Sequence, residues 1–135
     1  MPAELKVEKA LIVDHPWIDK ILNGTKTWEM RSKPAYCRSL FGLIAKGSGK
    51  VQGVARITEV GEPLTEAEMI ETIRHHQIPE YMIRSGQVSK WTFPWKLTDV
   101  RRLSRAVPYA HKSGAIQWVK LAPDVCAAIG AQLSD

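Results

Sequence analysis

The sequence predicts a single α+β domain, residues 1–135, built as a small, mixed, mostly antiparallel β-barrel with peripheral helices. Its 135 residues are one domain by size. A chain of that length buries roughly two thirds of its unfolded surface, so its core needs no disulfide or metal. Strand-like segments predominate, and most links between them are short, which favours antiparallel pairing. We therefore expect a curved or closed sheet with helices around it.

The first third of the chain predicts a strand, a helix and a second strand. "ALIV" (10–13) is rich in branched residues, as buried strands are. Asp14 is a candidate helix cap and Pro16 suits a first helical turn. Apolar residues at helical spacing follow, and Gly24 ends the helix in the left-handed conformation.

Alternation along "TKTWEMR" (25–31) gives this strand two different faces. Trp28 and Met30 lie on one face and point into the core. The other face carries Thr27, Glu29 and Arg31.

The rest of the chain predicts four strands and three helical segments. Strands 40–45 and 51–60 are joined by a Gly-Ser-Gly turn. A helix begins at a capping box of Thr65 and Glu68, and a short helical turn ends at Gly86. "KWTFPWKLTDVRRL" (90–103) has strand character, but Pro94 places its early part at an edge or in a loop. "GAIQWVKL" (114–121) predicts the last strand, and a helix begins at Pro123.

Charge and cysteine content limit the classes of function. The net charge of +5 and the pI of about 9.4 are compatible with a polyanionic partner. Cys37 and Cys126 form no CxxC motif, so we expect no metal site of the usual zinc spacing, and no cofactor is indicated. No signal peptide or membrane-length apolar run is present. These features predict a cytoplasmic protein with reduced thiols and no membrane partner; one disulfide between the two cysteines is the alternative.

The segment "GTKTWEMR" (24–31) resembles the G-x-K-x-x-E-x-R motif of ASCH domains, which belong to the PUA-like superfamily of RNA-associated β-barrels. Gly24, Lys26, Glu29 and Arg31 fill its four positions. The order of elements is similar to the family's from Ala10 to about Leu121. Residues 66–90 have the character of a helical insertion.

This resemblance implies a cleft, lined by the motif residues, that accepts nucleic acid or a modified nucleoside. Some ASCH domains are linked to RNA binding and others to hydrolysis. One branch removes the acetyl group from N4-acetylcytidine and places a threonine, proposed as its nucleophile, where this chain has Glu29. That mechanism therefore does not transfer as it stands, although Lys26 does match.

The chemistry of the motif residues supports a ligand site. Lys26 and Arg31 can neutralise phosphate, the first as a point charge and the second as a bidentate fork. Glu29 can accept a hydrogen bond from a base amino group, as carboxylates do with cytosine, or it can orient Lys26. Burial beside Arg31 would lower the pKa of Lys26 and let it act as a base. The alternative is a purely structural ion pair between Glu29 and Arg31.

Further candidates lie outside the motif. Tyr109, His111 and Lys112 belong to a loop that we expect near it, able to grip phosphate or move a proton. Trp17 is either a base-stacking platform or an anchor for the first helix. Trp91 and Trp95 either cover a cleft or, as we favour, seal the end of the barrel. A basic edge that either contacts an RNA backbone or solubilises the surface consists of Arg101, Arg102 and Arg105.

Three functions are compatible with these residues. The first is binding of RNA or another single-stranded nucleic acid, with a base held in the cleft. The second is hydrolysis of RNA or a modified nucleoside, with Lys26, Glu29, Tyr109 and His111 as catalytic candidates. The third is a small-ligand or protein-interaction barrel. The binding function is preferred, because no activated nucleophile stands near the motif. The sequence leaves the oligomeric state open.

Overall fold

The fold is a six-stranded mixed sheet that curls into a half-barrel, in a computed structural model that describes residues 6–134. The strands are β1 (Lys9–Val13), β2 (Trp28–Arg31), β3 (Phe41–Ala45), β4 (Lys50–Val60), β5 (Phe93–Pro108) and β6 (Trp118–Lys120). Their order across the sheet is β2-β5-β4-β3-β1-β6. Only the pair β1–β3 is parallel; the other four are antiparallel. The predicted fold class is confirmed.

The helices are α1 (Trp17–Leu22), α2 (Glu66–Glu71), α3 (Ile73–His76), α4 (Glu80–Arg84) and α5 (Pro123–Leu133). As predicted, Gly24 follows α1 with a φ of 89°, and a capping box of Thr65 and Glu68 starts α2. Asp14 does not cap α1, because its carboxylate accepts from the amide of His15 instead. We name the whole segment between β4 and β5, residues 61–92 with α2, α3 and α4, the helical connection. That residues 66–90 are an insertion stays a prediction.

Apolar clusters on both faces hold the sheet. One face packs against α1 through Ile18, Ile21 and Leu22, together with the buried Trp95 of β5. The opposite face packs against α5 through residues that include Ile129, which is fully buried. Register shifts at three points of the β4–β5 pairing introduce irregularities of the kind that bend and twist a sheet. The result is a concave surface between β1 and β2.

Two predictions about the middle of the chain are wrong in detail. Pro94 lies inside β5, paired with Met30 of β2. In a strand, the N–H and the C=O of one residue point to the same side. The Pro94 carbonyl accepts from the amide of Gly61, just beyond the end of β4 at Val60. The missing proline N–H therefore faces Gly61, beyond the β4–β5 pairing that ends at Val60 and Trp95, and removes no bond of that pairing. The single helix predicted after Thr65 is broken at Thr72, whose hydroxyl donates to the carbonyl of Glu68 (2.8 Å) and so competes with regular helix.

The tryptophan of β2 also lies elsewhere than predicted. Trp28 and Met30 do share a face, but that face packs against the helical connection rather than the barrel core. The Trp28 ring is partly buried and stacks on His75, with 4.4 Å between ring centroids. Glu29 and Arg31 consequently face the concave side of the sheet.

Two further features bear on the chemistry of the chain. Cys37 and Cys126 are both free thiols, so the disulfide alternative is wrong. Within residues 6–134, no helix is long and apolar enough to cross a membrane.

Candidate functional site

A cleft of about 890 Å³ opens on the concave side of the half-barrel. Its walls come from β1, β2, the β3–β4 turn, the end of the helical connection and the loop that leads from β5 to β6. Residues that line it include Asp14, Trp17, Lys26, Glu29, Met30, Arg31, Ser32, Lys46, Ile78, Trp91, Tyr109, His111, Ile116 and Gln117.

Lys26 lies at the inner wall of the cleft and is only 2% exposed. The turn at Gly24 returns the chain so that the Lys26 amide donates to the carbonyl of Lys20 (2.9 Å), at the end of α1. Its ammonium donates to the carbonyl of His76 (2.7 Å). It also lies 3.6 Å from Glu29 Oε1 and 5.3 Å from the centroid of the Trp17 ring. Every neighbour of this ammonium is thus fixed by the fold.

Burial is the largest influence on the pKa of Lys26, and it lowers that pKa below the ordinary value of 10.5. Glu29 opposes the shift through its charge and hydrogen bond, whereas the charge of Arg31 adds to it. A desolvated amine with a lowered pKa exchanges a proton more readily than a surface lysine does.

Glu29 connects the two cations of the motif. It is 5% exposed, and its Oε2 accepts from Arg31 Nε at 2.7 Å, while Oε1 faces Lys26. Arg31 Nη2 donates to the carbonyl of Ile12 in β1 (2.9 Å). Lys26, Glu29 and Arg31 therefore form one network, which we name the motif triad.

The helical connection supplies a partner that sequence reasoning missed. His76 is fully buried; its Nδ1 accepts from the amide of Ile78 (2.9 Å) and its Nε2 lies 2.7 Å from the carbonyl of Met69. These partners require the neutral ring protonated at Nε2. The ring thereby fixes the turn whose carbonyl binds Lys26. The sequence gives no sign that a backbone carbonyl of this segment reaches the motif.

Tyr109 and His111 lie together across the cleft, as predicted. The Tyr109 hydroxyl is 3.0 Å from His111 Nδ1, and both residues line the cavity. The Tyr109 amide donates to the carbonyl of Gly49 (3.1 Å), which attaches the loop to the β3–β4 turn. Partial burial raises the pKa of the Tyr109 phenol above its usual value. This pair can exchange a proton with a ligand between the walls.

The aromatic candidates divide into core and cleft residues. Trp17 lines the cleft and packs against two apolar clusters, which fits the role of an anchor for α1; that a base stacks on its ring stays a prediction. Trp95 is 1% exposed and stacks on Trp118 (6.0 Å between centroids), so it is a core residue and does not cover the cleft; that it seals the end of the barrel stays a prediction. Trp91 is 42% exposed and lines the cleft.

The predicted basic edge lies away from the cleft. Arg101 Nη2 donates to the carbonyl of Gln132 (3.0 Å), near the C-terminus of α5, where a cation is favourable. Arg102, Arg105 and Lys112 are exposed, and none of them lines the cleft. Among residues 6–134, no group of three histidine, cysteine, aspartate or glutamate residues could hold a metal ion.

Comparison with solved structures places the fold of this chain among those of ASCH domains. A crystal structure of ASCH from Zymomonas mobilis superposes with a TM-score of 0.71 at 14% sequence identity, over 92% of this chain and 94% of that one. A serine-to-alanine and a tyrosine-to-phenylalanine mutant of the same protein give TM-scores of 0.69 and 0.70, each at 14% identity. The former covers 93% of this chain and the latter 92%, and both cover 96% of the mutant chain. At this identity the likeness concerns the fold alone.

Sequence comparison gives the family. No curated protein matches the chain. The model of the ASCH domain matches residues 11–107, which include all four motif positions and most of the sheet. The resemblance seen in the sequence is thereby confirmed, and the chain belongs to the ASCH domain family.

Proposed function

We propose that this domain binds RNA as a single strand and holds one base or nucleotide in the cleft beside the motif triad. The observation that carries the proposal is the position of the triad: a buried carboxylate between two cations at the wall of a cleft of about 890 Å³. That volume falls in the range of small-molecule sites. ASCH domains are PUA-like and generally bind nucleic acid, which supports the same class of ligand.

The triad favours a base with an exocyclic amino group. The Glu29 carboxylate is held in place by Arg31 on one oxygen and faces Lys26 with the other. A carboxylate fixed in this way can accept from an amino group such as the one on cytosine. Glutamate is a poor partner for phosphate. A base at the inner wall, with its phosphates toward the mouth of the cleft, therefore satisfies the charges best.

Cations near the mouth suit the phosphates of such a ligand. Lys46 lines the cleft and is exposed, with its ammonium 3.8 Å from Asp14 in a weak surface pair. His111 also lines the cleft and can donate a hydrogen bond to a phosphate. Lys112, Arg102 and Arg105 are exposed in the loop and along β5, and we include them as candidate contacts for the strand beyond the cleft.

Hydrolysis of RNA or of a modified nucleoside is the second candidate. It is favoured by the lowered pKa of Lys26 beside Glu29 and by the hydrogen-bonded pair of Tyr109 and His111 across the cleft. In this function, Lys26 in its neutral amine form takes a proton from the attacking water or hydroxyl, and the Tyr109–His111 pair gives one to the leaving group.

One experiment separates the two candidates. The purified protein is incubated with a panel of short RNAs and modified nucleosides, binding is measured by fluorescence anisotropy or calorimetry, and products are separated by chromatography. Retention without new products supports binding alone; new products support hydrolysis. If neither occurs at low salt, both functions are wrong.

Variants of the triad then test the site. Glu29→Gln keeps an acceptor oxygen, so a modest loss of affinity indicates a hydrogen bond to the base, whereas a severe, pH-dependent loss indicates that the charge acts through Lys26. Lys26→Met should abolish proton transfer and weaken binding. Glu59→Gln and Lys120→Met are matched controls on exposed positions outside the cleft. Equal effects of the triad variants and their controls would show that the triad is not the ligand site.

A further inference from the structure

We propose that Trp91 and Ile116 form a second base subsite at the mouth of the cleft. It would receive the nucleotide adjacent to the one held beside the motif triad. The inference rests on the proposed function and narrows its ligand to a strand of at least two nucleotides.

Trp91 presents a large aromatic surface on a fixed support. Its side chain is 42% exposed and lines the cleft. Its amide donates to the carbonyl of Val88 (3.0 Å), a residue buried in the helical connection. The next residue, Thr92, accepts from the amide of Leu64 (2.9 Å), and β5 begins at Phe93. Backbone bonds on both sides thus hold the main chain at Trp91 in place before any ligand arrives, which reduces the entropy lost on binding.

Trp17, the stacking platform predicted from the sequence, is less available. Its ring lies 5.3 Å from the Lys26 ammonium and packs against two apolar clusters. A base that covered the same ring would have to compete with these contacts. Trp17 therefore belongs to the inner wall, whereas Trp91 is the aromatic side chain of the cleft that is open to solvent.

Ile116 lines the cleft from a different segment, the loop between β5 and β6, and is 86% exposed. An isoleucine this exposed gains nothing from the core. Trp91 and Ile116 thus give the cleft two exposed apolar side chains from different segments, against which the base of the adjacent nucleotide would lie. Base–aromatic stacking of this kind tolerates any base, because every base has a π-face.

The charges nearby favour a nucleic acid as the occupant. Lys46 and His111 line the same cleft, Lys90 is exposed next to Trp91, and the whole chain carries a net charge of +5. An aromatic surface beside basic side chains is the arrangement with which proteins bind single strands. The subsite is also continuous with the triad through the shared cleft, so one strand can fill both.

If the subsite exists, Trp91 contributes to the affinity for oligonucleotides and not to the affinity for single nucleotides. Affinities of wild type and Trp91→Ala are measured by calorimetry for cytidine monophosphate and for a series of two- to six-nucleotide RNAs. Wild type should bind the dinucleotide more tightly than the mononucleotide. Trp91→Ala should lose roughly 5- to 150-fold in oligonucleotide affinity, the range expected for one stacked base, and should bind the mononucleotide as wild type does. Trp91→Phe should recover most of the loss.

Two further variants separate a loss of binding from a loss of folding: one is a control outside the cleft, and the other tests the second side chain of the subsite. Tyr81→Ala removes another exposed aromatic ring, 71% exposed and outside the cleft, and should leave both affinities unchanged. Ile116→Ser changes the other side chain of the subsite without touching a core residue and should lower oligonucleotide affinity in the same sense as Trp91→Ala.

Several results would overturn the subsite. Equal affinity of wild type for one nucleotide and for longer strands would do so, and so would a Trp91→Ala variant that loses mononucleotide and oligonucleotide binding alike. Retained mononucleotide binding in wild type would show in either case that the proposed function stands without the subsite. Absence of all nucleotide binding in wild type would overturn the proposed function, and the subsite with it.

Discussion

Arg31 shows at the scale of one residue how the motif serves the fold and the site together. Its guanidinium orients Glu29 in β2 and at the same time donates to Ile12 in β1. It also lies 5.7 Å from the centroid of the Trp95 ring. Since β2 is at one edge of the sheet and β1 is next to the other, this side chain spans the open side of the half-barrel.

Replacing Arg31 should therefore change the stability of the domain as well as its binding of a ligand. Arg31→Ala leaves Glu29 buried with a more distant cation and should lower the free energy of unfolding by about 3 kcal/mol, a cost typical of breaking a buried ion pair. Arg31→Lys should lose less, because it keeps the charge. Urea unfolding measures both. A wild-type midpoint for Arg31→Ala would show that the guanidinium does not support the fold.

His76 should make the protein sensitive to acid. Burial is the largest cause that lowers the pKa of His76 below 6.5, so the unfolded chain binds a proton more tightly than the folded chain does. Stability is then fully present above pH 6.5 and falls as the pH drops below that value toward the lowered pKa. Urea midpoints between pH 7.5 and pH 5 should decline.

The His76→Asn variant isolates this contribution. It should be less stable at neutral pH and should show a shallower decline with acid. Part of the decline should remain, because desolvation lowers the pKa of His75 as well. Parallel profiles of wild type and variant would assign the acid sensitivity to other groups.

At the scale of elements, strands with strong local patterns could be predicted and their partners could not. Branched residues in "ALIV" and the alternation of β2 placed both strands correctly. The pairing of Pro94 depends on where β4 ends. The packing of Trp28 depends on where the helical connection lies. Such information is tertiary, so propensity and periodicity do not contain it.

The contact between α1 and the sheet predicts an effect at Gly53 in β4. A Cβ on this residue would overlap Cδ2 of Leu22 in α1 and would lie 2.8 Å from the carbonyl oxygen of Arg101 in β5. Gly53→Ala should therefore displace α1 or β5 and destabilise the domain by about 1–3 kcal/mol, as overpacking does. Thermal melting measures this change. Gly47→Ala is a control for crowding, since a Cβ on Gly47 would meet no atom within 4 Å, although its φ of 82° adds backbone strain of its own.

At the scale of the whole molecule, the sequence predicts the residues of the candidate site that lie in the motif. It does not predict the groups that reach the site only through folding. Lys26, Glu29 and Arg31 converge on one wall, and Tyr109 and His111 lie on another. The role of the His76 carbonyl and the exposure of Trp91 follow from the packing of the helical connection. Arg101 shows the converse. It belongs to a basic cluster in the sequence, but in the fold its guanidinium donates to a carbonyl near the C-terminus of α5.

The distribution of charge predicts how RNA binding depends on salt. Each phosphate contact that releases a counterion adds about −0.7 to the slope of log affinity against log salt for single strands. Lys46→Gln should reduce the magnitude of that slope by roughly this amount if Lys46 contacts a phosphate. Arg101→Gln should leave it unchanged. Titrations at several salt concentrations give both slopes, and a slope near zero for wild type would contradict a backbone contact.

The side chain that spans the open half-barrel also restricts how this domain can diversify. Under the proposed function Arg31 serves twice, in the ligand site and through the bond to Ile12. A descendant that gained a new ligand by replacing Arg31 would first need a second connection between β2 and β1. Trp91 and Ile116 belong to no apolar core cluster of the described chain. We therefore expect relatives to vary at the mouth of the cleft long before they vary at its inner wall.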